Sequence, residues 1–194
     1  MAVRCRVRHD STGIRTAEPG YVAWREGLVA PSRFGGSDSE GFRRYGKGMG
    51  VLETIWIKRA KLGPMDSVES ARLIEGKGLE GNANQGGHRQ VTILSADVWE
   101  SMTDDLGESL DPSVRRANLY VRGVDLEQSR GKTLAIGSVR IRVHGETRPC
   151  ERMDAARGGL RRVMGASWRG GVFGEVLEGG PIEIGSDVRW AEAD

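Results

Sequence analysis

The feature that most constrains this chain is a succession of short apolar or alternating runs, each of strand length and set apart by turns rich in glycine. They are Val51–Ile57, Gln90–Leu94, Ala117–Val121, Lys132–Ile136, Val139–His144, Val172–Leu177 and Ile182–Ile184. The alternation is cleanest in Val139–His144. Apolar Val139, Ile141 and Val143 face one way and polar Arg140, Arg142 and His144 the other, the period of a half-buried strand. Lys132–Ile136 leads through Gly137-Ser138 into that run as a hairpin. Helical signals are few. Ser95 can cap a helix whose stripe of Val98, Trp99, Met102 and Leu106 reads as core rather than as a cofactor surface. Met153, Ala156, Leu160, Val163 and Met164 give a second helical period, weakened by Gly158-Gly159 and stopped near Gly165. Ser67–Ile74 fits neither period and reads as a strand or a short helix. The expected fold is mainly β with a few helices, a closed or nearly closed β-barrel.

Composition narrows the class. The chain has 194 residues, 38% hydrophobic and 29% charged, enough for one domain with a proper core. No apolar run approaches the ~20 residues needed to cross a bilayer, so no membrane partner is expected. The start, MAVRCRVRHD, lacks the apolar core of a secretory signal. Only Cys5 and Cys150 are present, too few for a disulfide scaffold and in keeping with a reducing compartment, the cytoplasm.

The net charge of +2 is uneven, because residues 1–48 hold nine Lys/Arg against five Asp/Glu and the remainder 20 against 22. The basic balance therefore belongs to the first quarter. No basic face with interleaved aromatics follows, which argues against a nucleic-acid partner. Residues 1–48 show no sustained periodicity and read as a disordered leader. Their acids (Asp10, Glu18, Glu26, Asp38 and Glu40) do not suit a transit peptide. Regular structure begins after Met49, which is expected to be the true start of a domain spanning 49–194.

Two stretches carry chemistry. After Val139–His144 come Gly145-Glu146-Thr147-Arg148-Pro149-Cys150, and Pro149 cannot donate to a sheet ladder. Cys150 is thus delivered at a strand end between Arg148 and Arg152. Neighbouring positive charge favours the thiolate, the form that attacks or binds metal; a small buried cysteine without a role is the other reading. The second stretch, Gly78-Leu79-Glu80-Gly81-Asn82 and Gly86-Gly87-His88-Arg89, is a glycine-rich loop whose N–H groups can meet an anion. Arg89 could add a guanidinium fork. It lacks the strand–helix setting of a dinucleotide fingerprint, and a plain flexible connection is the commoner explanation of such a loop. His88 and His144 could serve as acid or base, yet neither has a partner identifiable from sequence.

In order, GLEGN, HRQVTIL, RRANLYVRGVDL, GKTLAIGSVRIRV and TRPCER resemble the MOSC domain, the C-terminal domain of molybdenum cofactor sulfurases, over roughly Val51 to Trp190. The resemblance implies a β-barrel domain that handles the molybdenum cofactor (molybdopterin). It puts Cys150 at the centre, as molybdenum ligand and catalytic residue or as the holder of a persulfide, and soft thiolate ligation suits such a centre. It places Arg116 and Asn118 near the cofactor and makes Arg89 and Arg148 candidates for the pterin phosphate. Arg115, Arg122 and Arg152 have weaker claims, since solvation at the surface accounts for most lone arginines.

One departure stands out. The family's loop commonly ends in Asp where this chain has Asn82, which keeps the turn chemistry and loses the charge. These 194 residues show no counterpart of the aminotransferase-like portion of the full sulfurases, so pyridoxal phosphate is expected only in the fused relatives and not to be bound by this chain alone. Three functions are implied. The first is a small oxidoreductase that reduces N-hydroxylated or related small substrates with electrons from a donor protein. The second is a sulfur carrier that takes a persulfide on Cys150 from a sulfur donor for cofactor or metal–sulfur cluster assembly. The third is a non-catalytic cofactor-binding module.

Overall fold

The computed structural model describes residues 49–166 and 168–192; the leader, and with it Cys5, lies outside them. The strands are β1 (Gly50–Ile57), β2 (Asp66–Val68), β3 (Ser70–Ile74), β4 (Gly78–Leu79), β5 (Val91–Ser95), β6 (Leu119–Arg122), β7 (Thr133–Ile136), β8 (Val139–Glu146), β9 (Val172–Glu178), β10 (Gly180–Glu183) and β11 (Asp187–Trp190). Helix α1 (Ala96–Asp104) and a 3-10 turn (Pro112–Arg115) join β5 to β6, and α2 (Glu151–Ala156) and α3 (Leu160–Val163) join β8 to β9.

Seven strands close on themselves in the order β1-β11-β7-β8-β9-β5-β6, with β6 returning to β1, and β2 lies along the far end of β1. The barrel is antiparallel except for β5 and β6, which run parallel because α1 and the 3-10 turn form a crossover between them. Strands β10, β3 and β4 make a separate three-stranded sheet. The expected β-barrel is the observed one. Among the described residues no helix is long and apolar enough to cross a membrane.

Alternation explains the closure. Val139, Ile141 and Val143 turn inward with Leu52, Ile93, Leu134 and Val176 to fill the barrel, each contributing about 1.5–3 kcal/mol through burial. A second cluster, outside the barrel, gathers Trp99 and Met102 of α1, Met153 of α2 and Leu160 of α3 around Leu94 and Tyr120. This outer cluster anchors the helix that begins directly after Cys150. Ser95 caps α1, accepting from the Val98 N–H at 3.4 Å, and the Trp99 indole donates to the Leu110 carbonyl at 2.9 Å.

Two local expectations change and one open reading is resolved. Of the two readings of Ser67–Ile74 the strand holds, in β2 and β3, because β1 and β10 supply edges for them to pair with. The glycine loop contains a short strand, β4, held by β3. The helical period after Cys150 is split into α2 and α3, because Arg157 is extended (φ −155°) and Gly159 takes φ +87°, a left-handed conformation open to glycine.

Candidate functional site

Four connections meet at a cavity of about 190 Å³. The segment after β1 brings Lys58, the glycine loop brings Asn82 and Arg89, and the 3-10 turn brings Arg115 and Arg116. The stretch after β8 brings Thr147, Cys150 and Arg152. Among the described residues, five cations therefore line one small space, and no Asp or Glu lines it with them. Cys150 is an exposed free thiol at its edge.

Arg115 is the most deeply set of the five, 8% exposed. Its guanidinium donates to the Gly170 carbonyl and to the Thr147 carbonyl, each at 3.0 Å. Burial, with repulsion from Arg89, pulls it down to about 10, while the nearby Cys150 opposes the shift. It stays charged at neutral pH. Surface solvation does not account for this residue: Arg115 staples the chain ahead of Cys150 to the turn ahead of β9.

Arg116 takes the left-handed conformation, φ +61° and ψ +32°, uncommon without glycine and of the kind that gathers at functional sites. Its head donates to the Gly63 carbonyl at 2.6 Å. Arg89 rests over the Phe173 ring, 5.2 Å from its centroid. Partial desolvation lowers Arg89, an effect that Cys150 opposes. Lys58 is lowered first by desolvation and then by Arg116, Arg152 and Arg89. These cations repel one another across a space that, among the described residues, no Asp or Glu lines. Thr147 adds a buried hydroxyl, Oγ1, that has no hydrogen-bond partner among the described residues. Such an arrangement can take an anion with several oxygens.

Asn118 works differently from an arginine. Its carbonyl oxygen accepts from the Thr92 N–H at 3.2 Å and the Thr92 hydroxyl at 2.9 Å, and its amide donates to the Trp56 carbonyl at 3.2 Å. The same amide reaches the Asn82 oxygen at 3.4 Å. Asn118 thus ties β1, β5 and the glycine loop together behind the cavity. Its replacement by Ala should cost about 3 kcal/mol, since buried donors and acceptors lose their partners; a urea midpoint that fails to move would contradict this network. Asn82 has a similar duty. Its oxygen accepts from the Lys58 N–H and its amide donates to the Asn84 carbonyl, both at 3.0 Å. A carboxylate could not make the second bond, so asparagine at this position shapes the loop.

Of the residues singled out from sequence, Arg89, Arg116, Asn118 and Cys150 are brought together. Arg148 is not. Its side chain is 85% exposed and pairs with Glu146 at 3.0 Å. Glu146 also accepts from the Trp168 N–H at 3.1 Å, and that bond, with Arg148 second, holds its carboxyl below the usual range. Arg122 lies elsewhere, in an ion cluster with Glu53, Asp97 and Glu100. Lys58 and Thr147 were not foreseen. Lys58 is the first charged residue beyond the apolar run of β1, and that position was its only signal. His88 and His144 do find partners, in each other and in Glu175 on the outer face of the barrel.

Comparison with known proteins agrees with the fold. A sequence model of the MOSC domain matches residues 79–189. No curated protein sequence matches the chain. Among solved structures, the YUAD protein from Bacillus subtilis is similar at a TM-score of 0.65 and 17% identity, over 75% of this chain and 97% of that one. YiiM from Geobacillus stearothermophilus is similar at 0.60 and 15%, over 74% and 75%. YiiM from Escherichia coli is similar at 0.58 and 16%, over 74% and 71%. These likenesses concern the fold, whereas the domain match covers more than half of the sequence, from the glycine loop through Cys150 to the last strand. The chain belongs to the MOSC domain family.

Proposed function

We propose that this protein binds the molybdenum cofactor in the Cys150 cavity and acts as a small oxidoreductase on N-hydroxylated or related compounds. The observation that carries the reading is the convergence of five cations, without an acid among the described residues, beside an exposed thiol. The pterin phosphate is an anion that such a set would hold, and a soft thiolate is a ligand that molybdenum accepts. The orphaned Thr147 hydroxyl, buried at the cavity, fits an incoming acceptor oxygen.

When bound, the cofactor supplies two-electron redox chemistry at its metal. The chain's own residues do the rest. Lys58, Arg89, Arg116 and Arg152 neutralise the phosphate, and Arg115 holds Thr147 and Gly170 so that the cysteine segment keeps its course. Asn82 and Asn118 fix the glycine loop that delivers Arg89. Cys150 offers its sulfur from an extended backbone (φ −118°, ψ 176°) with no side-chain hydrogen bond to restrain it. Electrons would come from a donor protein, and the cytoplasm is the compartment that suits a free thiol.

Molybdenum and pterin content test the proposal, on protein made in a host that synthesises the cofactor. Near-stoichiometric metal in the wild type is expected, and its absence would overturn the reading. Arg89→Ala and Lys58→Ala should each weaken phosphate-bearing pterin binding about tenfold, the scale of one charge-assisted hydrogen bond. Unchanged affinity in both, measured by calorimetry, would remove the phosphate assignment. The exposure of Cys150 favours one second reading, a sulfur carrier whose persulfide must reach a partner. That protein would gain one labile sulfur at Cys150 and carry no metal.

A further inference from the structure

A separate cluster lies on the outer face of the barrel. His144 of β8, Glu175 of β9 and His88 of the segment ahead of β5 each offer one ligand atom, and these atoms lie within 4.8 Å of one another. None of the three lines the Cys150 cavity.

The backbone is arranged to make this meeting. Strands β8 and β9 pair Arg142 with Glu175 and Val143 with Gly174, and then Gly145 with Phe173. The shift leaves His144 as the extra residue of a bulge, a device that re-aims a side chain. The crowding at this bulge is met by Gly174, where a Cβ would come 2.3 Å from the Arg142 carbonyl oxygen. His144 Nε2 ends 3.3 Å from Glu175 Oε2. The His88 ring meets the His144 ring edge-on at a centroid distance of 4.9 Å.

Two details are not explained by an ordinary ion pair. His144 Nε2 is buried, yet it makes no hydrogen bond of acceptable geometry, an arrangement that costs free energy unless something else satisfies it. Glu175, moreover, lies opposite Arg142 in the register, yet its ionic partner among the described residues is His144. A tetrahedral ion with ligand bonds of about 2.0–2.1 Å sets adjacent donors about 3.3 Å apart. The His144–Glu175 separation already has that length. His88 is exposed, so rotation of its side chain can close the longer gap.

We propose that His88, His144 and Glu175 form a binding site for a borderline divalent cation of the zinc class, distinct from the Cys150 cavity. Two imidazoles and one carboxylate suit such an ion and leave its fourth position to water. The ion would tie His88 to β8 and β9, and with it the neighbouring Arg89. The site does not depend on the molybdenum reading.

The test uses the full-length chain without an affinity tag, stripped of metal and titrated with Zn²⁺ by calorimetry and with Co²⁺ by visible absorption. One equivalent should bind, with the intense d–d bands of four-coordinate Co²⁺, in the wild type and equally in Cys150→Ser. His144→Ala and His88→Ala should each lower affinity at least about tenfold. Should His144→Ala fail to fold, exposed His88 still decides the matter. Absence of binding, binding indifferent to His88→Ala, or binding abolished by Cys150→Ser would each overturn the site. Failure of the molybdenum reading would instead appear as missing pterin and molybdenum with zinc binding intact.

Discussion

Cys150→Ser is expected to lower bound molybdenum by at least two orders of magnitude in affinity while leaving the fold intact. The size follows from comparison: groups that merely orient a metal's ligands are worth about 10–100-fold, and Cys150 is proposed to be a ligand itself. Serine is nearly the same shape, but its hydroxyl is not a soft anionic donor at neutral pH. Reductase activity should fall with the metal. Cys150 is exposed and caps nothing, so thermal unfolding of the variant should stay within about 0.5 kcal/mol of the wild type. That contrast makes the result interpretable. Metal content unaffected by the substitution would exclude Cys150 as ligand, and a protein that never holds metal but carries a labile sulfur would turn the assignment towards the persulfide carrier.

Gly170→Ala should be the most damaging substitution of a single methyl group at this site. A Cβ there would come 1.9 Å from the Thr147 carbonyl oxygen and 3.3 Å from the Arg115 guanidinium. The first contact is with backbone, so no side-chain rotation relieves it. Either the turn before β9 or the segment leading to Cys150 must move, and Arg115 bonds to both. Overpacking of this kind costs about 3 kcal/mol, or a fall of about 6–12 °C in Tm for a domain of this size. Because Thr147 precedes Cys150 by three residues, whatever variant survives should also lose cofactor affinity. Calorimetric unfolding together with pterin content measures both. A variant with native Tm and native cofactor content would contradict the close packing of these segments.

The barrel was legible in the sequence because its signal is local. Alternation in Val139–His144 and the apolar runs around it state which face is buried, whatever each strand pairs with. Cys150 was legible for a similar reason, since a strand, a proline and two arginines are contiguous with it. What sequence could not convey is which distant segments share a surface. Arg115 and Arg148 look alike as letters, each with one polar and one apolar neighbour. One is buried under two carbonyls 32 and 55 positions away, and the other turns back to Glu146 in the open. His88, His144 and Glu175 come from three elements, and only the β8–β9 register and its bulge bring them within reach. Asn82 looked like a lost charge, until its hydrogen bonds to the Lys58 N–H and the Asn84 carbonyl gave the amide a purpose of its own.

The seam between β1 and β11 has a consequence for how the molecule is made. The first strand of the barrel meets the last through only two register pairs, Gly50 with Val188 and Val51 with Asp187. Until the ribosome has released β11, β1 has a bare edge on that side and β7 lacks one of its neighbours. Closure must therefore wait until β11 has emerged, and it joins segments separated by most of the domain, the slow kind of contact. In the interval the unpaired edges are open to other chains. Truncation anywhere before Asp187 should hence yield protein that aggregates during synthesis, however complete its cavity residues are.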